Sequence, residues 1–133
     1  MILYHFCAAH LLADIKREGL TLGKLPLIER GPERHIDYTR YVEGYQWLTA
    51  EPDPKKQSWA TQIHIRYSRT AYRLTVKIPL NRLRKLHKAV NFVRHLKAEQ
   101  RHIVENWAGS EDWYMYRGTV PSQWITKIEE MEE

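Results

Sequence analysis

Side chains able to do chemistry are few in this chain of 133 residues, and they fall into three short segments and one basic block. His5 sits in ILYHF near the amino end, Tyr45, Trp47 and Thr49 share GYQWLTA, and Glu111 and Asp112 stand directly before the aromatic run WYMY. Histidine offers a hydrogen-bonding nitrogen near neutral pH, aromatic rings offer stacking faces, and a carboxylate stabilises positive charge that develops in a transition state. Other chemistries are poorly served. Cys7 is the only cysteine, which excludes an intrachain disulfide and a cysteine-rich zinc site and fits a reducing, cytosolic setting. With no acid or base at a diagnostic spacing, it reads as a small buried filler rather than a nucleophile. His87, His95 and His102 follow one another at gaps of eight and seven residues, two helical turns, too far apart to share one metal. No HExxH, CxxC, Walker A or GxGxxG string occurs.

The elements that must position these groups follow from the hydrophobic pattern. Residues 2–6 read as a short strand, and residues 8–18 as a helix with one apolar stripe of Leu11, Leu12 and Ile15, stopped by Gly19. Residues 21–40 show no period and are punctuated by Pro26, Gly31 and Pro32, so a long irregular loop is expected there. Residues 44–50 are β-prone, with aromatic and β-branched residues alternating against Gln46, and Pro52 and Pro54 end the strand. Residues 62–67 and 71–78 alternate again around the turn Ser68-Arg69-Thr70 and suit a hairpin. Asn81 suits the N-cap of a helix running to about Trp107, on the spacing of Leu83, Leu86, Val90, Val93, Leu96, Ile103 and Val104, with Gly109 ending it. Strands at residues 113–116 and in WITKI close the chain. The sum is an α+β fold over residues 1–133, one domain in which strands dominate.

Composition bounds the function. Hydrophobic residues make up 43% and charged residues 28%, enough for a packed interior and not a disordered composition. No apolar run approaches the roughly twenty residues of a membrane span. His5, His10 and Asp14 interrupt the apolar amino end, so neither a secretory signal nor a transmembrane helix is expected. The net charge is +5, unevenly placed: residues 66–101 carry eleven basic side chains against Glu99 alone, while Glu129, Glu130, Glu132 and Glu133 make the tail acidic. Such a block suits a polyanion or an acidic protein, although a solvated charged face needs no partner at all. Tyr38 and Tyr41 with the arginines would suit nucleic acid, but no named nucleic-acid motif is present.

Three segments acquire meaning together: Leu3-Tyr4-His5-Phe6 followed by a helix and Glu18-Gly19-Leu20, then Gly44-Tyr45-Gln46-Trp47-Leu48-Thr49, then Glu111-Asp112-Trp113-Tyr114-Met115-Tyr116 with Val120-Pro121 and Ile125 behind it. In this order they resemble the ADP-ribosyltransferase-like superfamily, which includes the diphtheria-toxin and poly-ADP-ribose polymerase branch, tRNA 2′-phosphotransferases and short phage-encoded relatives. The pattern covers most of the chain. The resemblance implies two small, mainly antiparallel sheets around an NAD cleft with flanking helices. It implies that His5 donates to the adenosine-side ribose, and that Tyr45 or Trp47 stacks on the nicotinamide with the Thr49 hydroxyl beside it. Asp112, with Glu111 in reserve, would hold the ribose 2′-hydroxyl as the nicotinamide glycosidic bond breaks and oxocarbenium character develops, a position where the family most often has glutamate. If both acids lie on a strand, alternation sends only one into the cleft. NAD would then be the substrate and an intracellular, cytoplasmic macromolecule the acceptor, which the phage-encoded relatives suggest is a host defence or transcription component. Because members lacking the acid bind without transferring, the second reading is a non-enzymatic protein that captures an acidic protein or nucleic acid on a face including Arg82, Arg84 and Lys85. Removal of an RNA 2′-phosphate is a third.

Overall fold

The computed structural model describes residues 1–26, 29–30, 36–37, 41–56, 70–89 and 110–131. Their strands are β1 (Ile2–Cys7), β2 (Lys24–Pro26), β3 (Glu29–Arg30), β4 (Ile36–Asp37), β5 (Tyr41–Glu43), β6 (Tyr45–Thr49), β7 (Tyr72–Lys77), β8 (Leu86–Lys88), β9 (Trp113–Arg117) and β10 (Ile125–Glu130), with one α-helix, α1 (Leu12–Glu18). Six strands form one antiparallel sheet in the order β10-β7-β1-β6-β9-β8, and β2-β5 and β3-β4 make two small ribbons.

Register assigns each side chain to a face. Leu3 opposes Val76, His5 opposes Leu74 and Cys7 opposes Tyr72, so these residues share one face of the β1–β7 pair. That face carries the main core, in which Leu3, Cys7, Leu48, Leu74, Val76, Ile78 and Tyr116 meet Leu20 and Val120, with Leu12 and Ile15 of α1 packed over them. The three-residue spacing of Leu12 and Ile15 aims both at the sheet. The opposite face is also covered, since Phe6, Trp113 and Met115 are buried there. Burial on both faces explains why Gln46, the polar position in an otherwise apolar strand, points inward rather than to solvent. It is buried, and its Oε1 accepts from the Gly23 N–H at 2.8 Å.

Several expectations need correction. The helix expected from residue 8 begins as a 3-10 turn, Ala9–Leu11, before α1, while Gly19 does end it with a φ of 79°. The irregular loop expected at residues 21–40 contains β2, β3 and β4. Asn81 caps no helix: Leu80–Lys85 is a 3-10 turn and Leu86–Lys88 is an edge strand, because a three-residue apolar spacing at Leu80, Leu83 and Leu86 suits a 3-10 repeat as well as an α-helix. Trp124 belongs to the turn Ser122–Trp124 and not to the last strand. The strand expected at 62–67 and the helix beyond residue 89 lie outside the described residues.

The link from β7 to β8 is a crossover past three strands. Both strands run in the same direction with β1, β6 and β9 between them, about 19 Å apart if the sheet were flat. The link consists of Ile78, Pro79 and the six 3-10 residues Leu80–Lys85. The crossover covers the face where Leu83 and Leu86 pack on the core.

Candidate functional site

The seam between β1 and β6 is the irregular line in the sheet. β1 is paired with β7 from Ile2 to Cys7, and β6 with β9 from Tyr45 to Thr49, yet β1 and β6 share the single pair Tyr4↔Thr49. Two three-stranded halves, β10-β7-β1 and β6-β9-β8, thus meet at one ladder position. Beyond it a side chain takes over from the ladder: His5 Nδ1 lies 2.8 Å from the Trp47 carbonyl.

That contact defines the chemistry of the ring. A carbonyl only accepts, so Nδ1 carries the hydrogen. Burial, the larger influence, holds the imidazole below its ordinary pKa, and the Trp47 carbonyl offsets this in part by favouring the charged form. The ring is therefore neutral at pH 7, and its Nε2 has a lone pair and no hydrogen. His5 is half-buried, and the Trp47 carbonyl is its one hydrogen-bond partner among the described residues. A ligand meeting Nε2 must bring a donor such as a hydroxyl. The resemblance cast His5 as the donor toward a ribose, whereas this geometry makes Nε2 an acceptor.

The Tyr45, Trp47 and Thr49 set lies on the other face of the sheet. Tyr4 opposes Thr49, so Tyr4, Thr49, Trp47 and Tyr45 share a face and His5 does not. Trp47 is half-buried and stands edge-on to Trp113, with ring centroids 6.0 Å apart at 86°. Tyr45 is half-buried, and Thr49 is buried with its Oγ1 accepting the Glu51 N–H at 3.1 Å. Glu51 Oε1 accepts from the Asp53 N–H at 3.0 Å, so the Thr49 hydroxyl helps to shape the loop after β6.

Glu111 and Asp112 occupy a 3-10 turn, Ser110–Asp112, and not the strand itself, so strand alternation does not choose between them. Exposure separates them instead: Glu111 is exposed and Asp112 half-buried. The Asp112 carbonyl accepts the Ala50 N–H at 2.9 Å, which fixes the turn beside the end of β6. The acids thus stand two strands from β1, about 10 Å across the sheet, at the Thr49 end of the seam. The tails of the first and third segments also meet: Leu20 N–H donates to the Val120 carbonyl at 2.8 Å and Val120 N–H returns a bond at 3.0 Å.

Sequence reasoning missed a polar junction on the same face as Trp47. Arg73 donates to Glu129 Oε1 at 2.9 Å and to the Pro52 carbonyl at 3.1 Å, and its guanidinium lies 5.6 Å from the centre of the Tyr4 ring. This pairing holds the Glu129 carboxyl below the usual carboxylate range. The one legible signal was Arg73 in the middle of an alternating strand, and its acid partner is 56 residues away in sequence. Cys7 is buried and its thiol is pushed up to about 11 by desolvation, as befits a packing residue. Among the described residues no cluster of metal-ligating side chains occurs, and no helix is long and apolar enough to cross a membrane. No family model, curated protein or solved structure matches the chain.

Proposed function

We propose that the chain binds NAD across the β1–β6 seam and transfers ADP-ribose to an intracellular macromolecule. The observation that carries the reading is adjacency: the strand bearing the histidine, the strand bearing the aromatic pair and the strand that follows the acid turn are consecutive in the sheet, β1-β6-β9, and the first two share a single ladder pair. The resemblance implies two small sheets, whereas a single six-stranded sheet carries all three of these strands. In this reading His5 Nε2 accepts from a hydroxyl of the adenosine-side ribose. Trp47 or Tyr45 meets the nicotinamide from the other face of the sheet, so His5 and the aromatic pair contact NAD from opposite sides of the seam.

In this reading Asp112 is the acid that acts. It is half-buried, and its turn is pinned to the end of β6, beside the Thr49 position. A carboxylate bonded to the ribose 2′-hydroxyl strengthens its hold as the ring carbon becomes cationic, so it lowers the barrier more than it raises NAD affinity. The nicotinamide leaves with the electron pair of the glycosidic bond and needs no proton. Incubation with NAD labelled in the adenylate, together with a cell lysate, should yield labelled macromolecule. Asp112→Asn should lose at least a hundredfold in transfer rate with little change in NAD affinity, the signature of an interaction made in the transition state. Transfer undiminished in both Asp112→Asn and Glu111→Gln would remove the acid from the mechanism.

A further inference from the structure

The crossover between β7 and β8 is a site of a different kind. Arg82, Arg84 and Lys88 are exposed and Lys85 is half-buried. Among the described residues the basic side chains in ion pairs are Arg17, Arg73 and Lys127, and none of the four crossover cations joins them. The crossover is not a loose loop. Pro79 leads into it, Leu83 anchors its middle to the core, and Leu86 anchors its exit. A 3-10 turn repeats every three residues, so Arg82 and Lys85 form one column and Asn81 and Arg84 a second, with about 6 Å between successive members.

We propose that this crossover is a docking surface for the phosphate backbone of a nucleic acid. Four cations close together with no ion-pair partner among the described residues repel one another, and a polyanion relieves that repulsion by displacing their small counterions. The composition favours phosphate over an acidic protein. Protein interfaces place apolar and aromatic anchors at the centre and are depleted in lysine, whereas nucleic-acid interfaces are polar and strongly basic. Here the exposed side chains are Asn81, Arg82, Arg84 and Lys88, with Leu80 exposed only at the first residue of the turn. The two arginines each offer a forked donor that fits two phosphate oxygens. The contacts reach the backbone and not base edges, so recognition is independent of sequence.

Fluorescence anisotropy with mixed-sequence 20-mer duplex and single-stranded oligonucleotides, over about 50 to 300 mM KCl, tests this directly. Three to four neutralised phosphates predict a slope of log K against log salt of about −3 on duplex. The variant Arg82→Gln/Arg84→Gln/Lys88→Gln should flatten that slope by two to three and weaken binding at least tenfold at low salt, with an unchanged melting curve. Because a drop in net charge alone weakens any polyanion contact, Lys16→Gln/Lys56→Gln/Lys77→Gln removes the same charge elsewhere. This control should retain most of the affinity and the slope. Arg84→Gln alone, at an exposed position, should flatten the slope by about one. Equal losses in the control and the crossover variant would overturn the proposal, as would a salt-independent affinity. Tight binding of poly-glutamate with no binding of either oligonucleotide would overturn it in favour of an acidic protein partner. None of these measurements uses NAD, so they stand or fall apart from transfer.

Discussion

The tautomer of His5 is dictated by one carbonyl. Trp47 presents that carbonyl to Nδ1 at 2.8 Å, the folded ring is held neutral by burial, and Nε2 is left as an acceptor. A histidine whose pKa is lowered on folding makes stability depend on pH in a defined direction. From above about pH 6.5, its value when exposed, down to the folded pKa, the unfolded chain takes up a proton that the folded chain refuses. Stability therefore falls on acidification through that window and is fully present above it. His5→Asn keeps an N–H for the Trp47 carbonyl and removes the titration. Denaturant midpoints measured between pH 7.5 and 5.5 should fall less for His5→Asn than for the wild type, and parallel decreases in the two proteins would show that His5 titrates alike folded and unfolded. Residue identity alone made His5 legible as a strand histidine. Its tautomer was not legible, because the partner is a backbone atom 42 residues away in sequence.

Elements were legible where local pattern and tertiary environment agree. β1, β6, β7 and β9 follow runs of aromatic and β-branched residues, and the end of α1 follows from Gly19. The spacing of Leu83 and Leu86 satisfies several periods at once, and only contact with the core decides among them. Gly19 carries two constraints. Its φ of 79° disfavours a side chain, and a Cβ would run into the Val120 carbonyl, which accepts the Leu20 N–H. Gly44 has a φ of 89° with open space around it. Gly19→Ala should thus destabilise the fold by about 2–4 kcal/mol and Gly44→Ala by about 1 kcal/mol, read as midpoint shifts in urea. Equal costs would mean that backbone strain alone, and not the Val120 contact, fixes the Gly19 position.

At the scale of the whole molecule, the α+β class and the dominance of strands could be read from composition and period, and the strand order could not. Strand order depends on pairings such as Tyr4 with Thr49 and Ile128 with Leu74, which join residues far apart in the chain and leave no local trace. The order matters because it makes neighbours of β1, β6 and β9 and puts His5 on the face opposite Trp47. In the proposed function this seam holds NAD with His5 as an essential contact, which thermal unfolding against NAD concentration reads out. A ligand that binds only the folded state at ten times its Kd adds about 1.4 kcal/mol, which for a domain of this size raises Tm by about 5 °C. The wild type should show that rise and Asp112→Asn should keep it, while His5→Ala, folded at the same concentration, should lose it. An unchanged Tm for the wild type in millimolar NAD, or an equal rise in His5→Ala, would show that the seam does not hold NAD through His5.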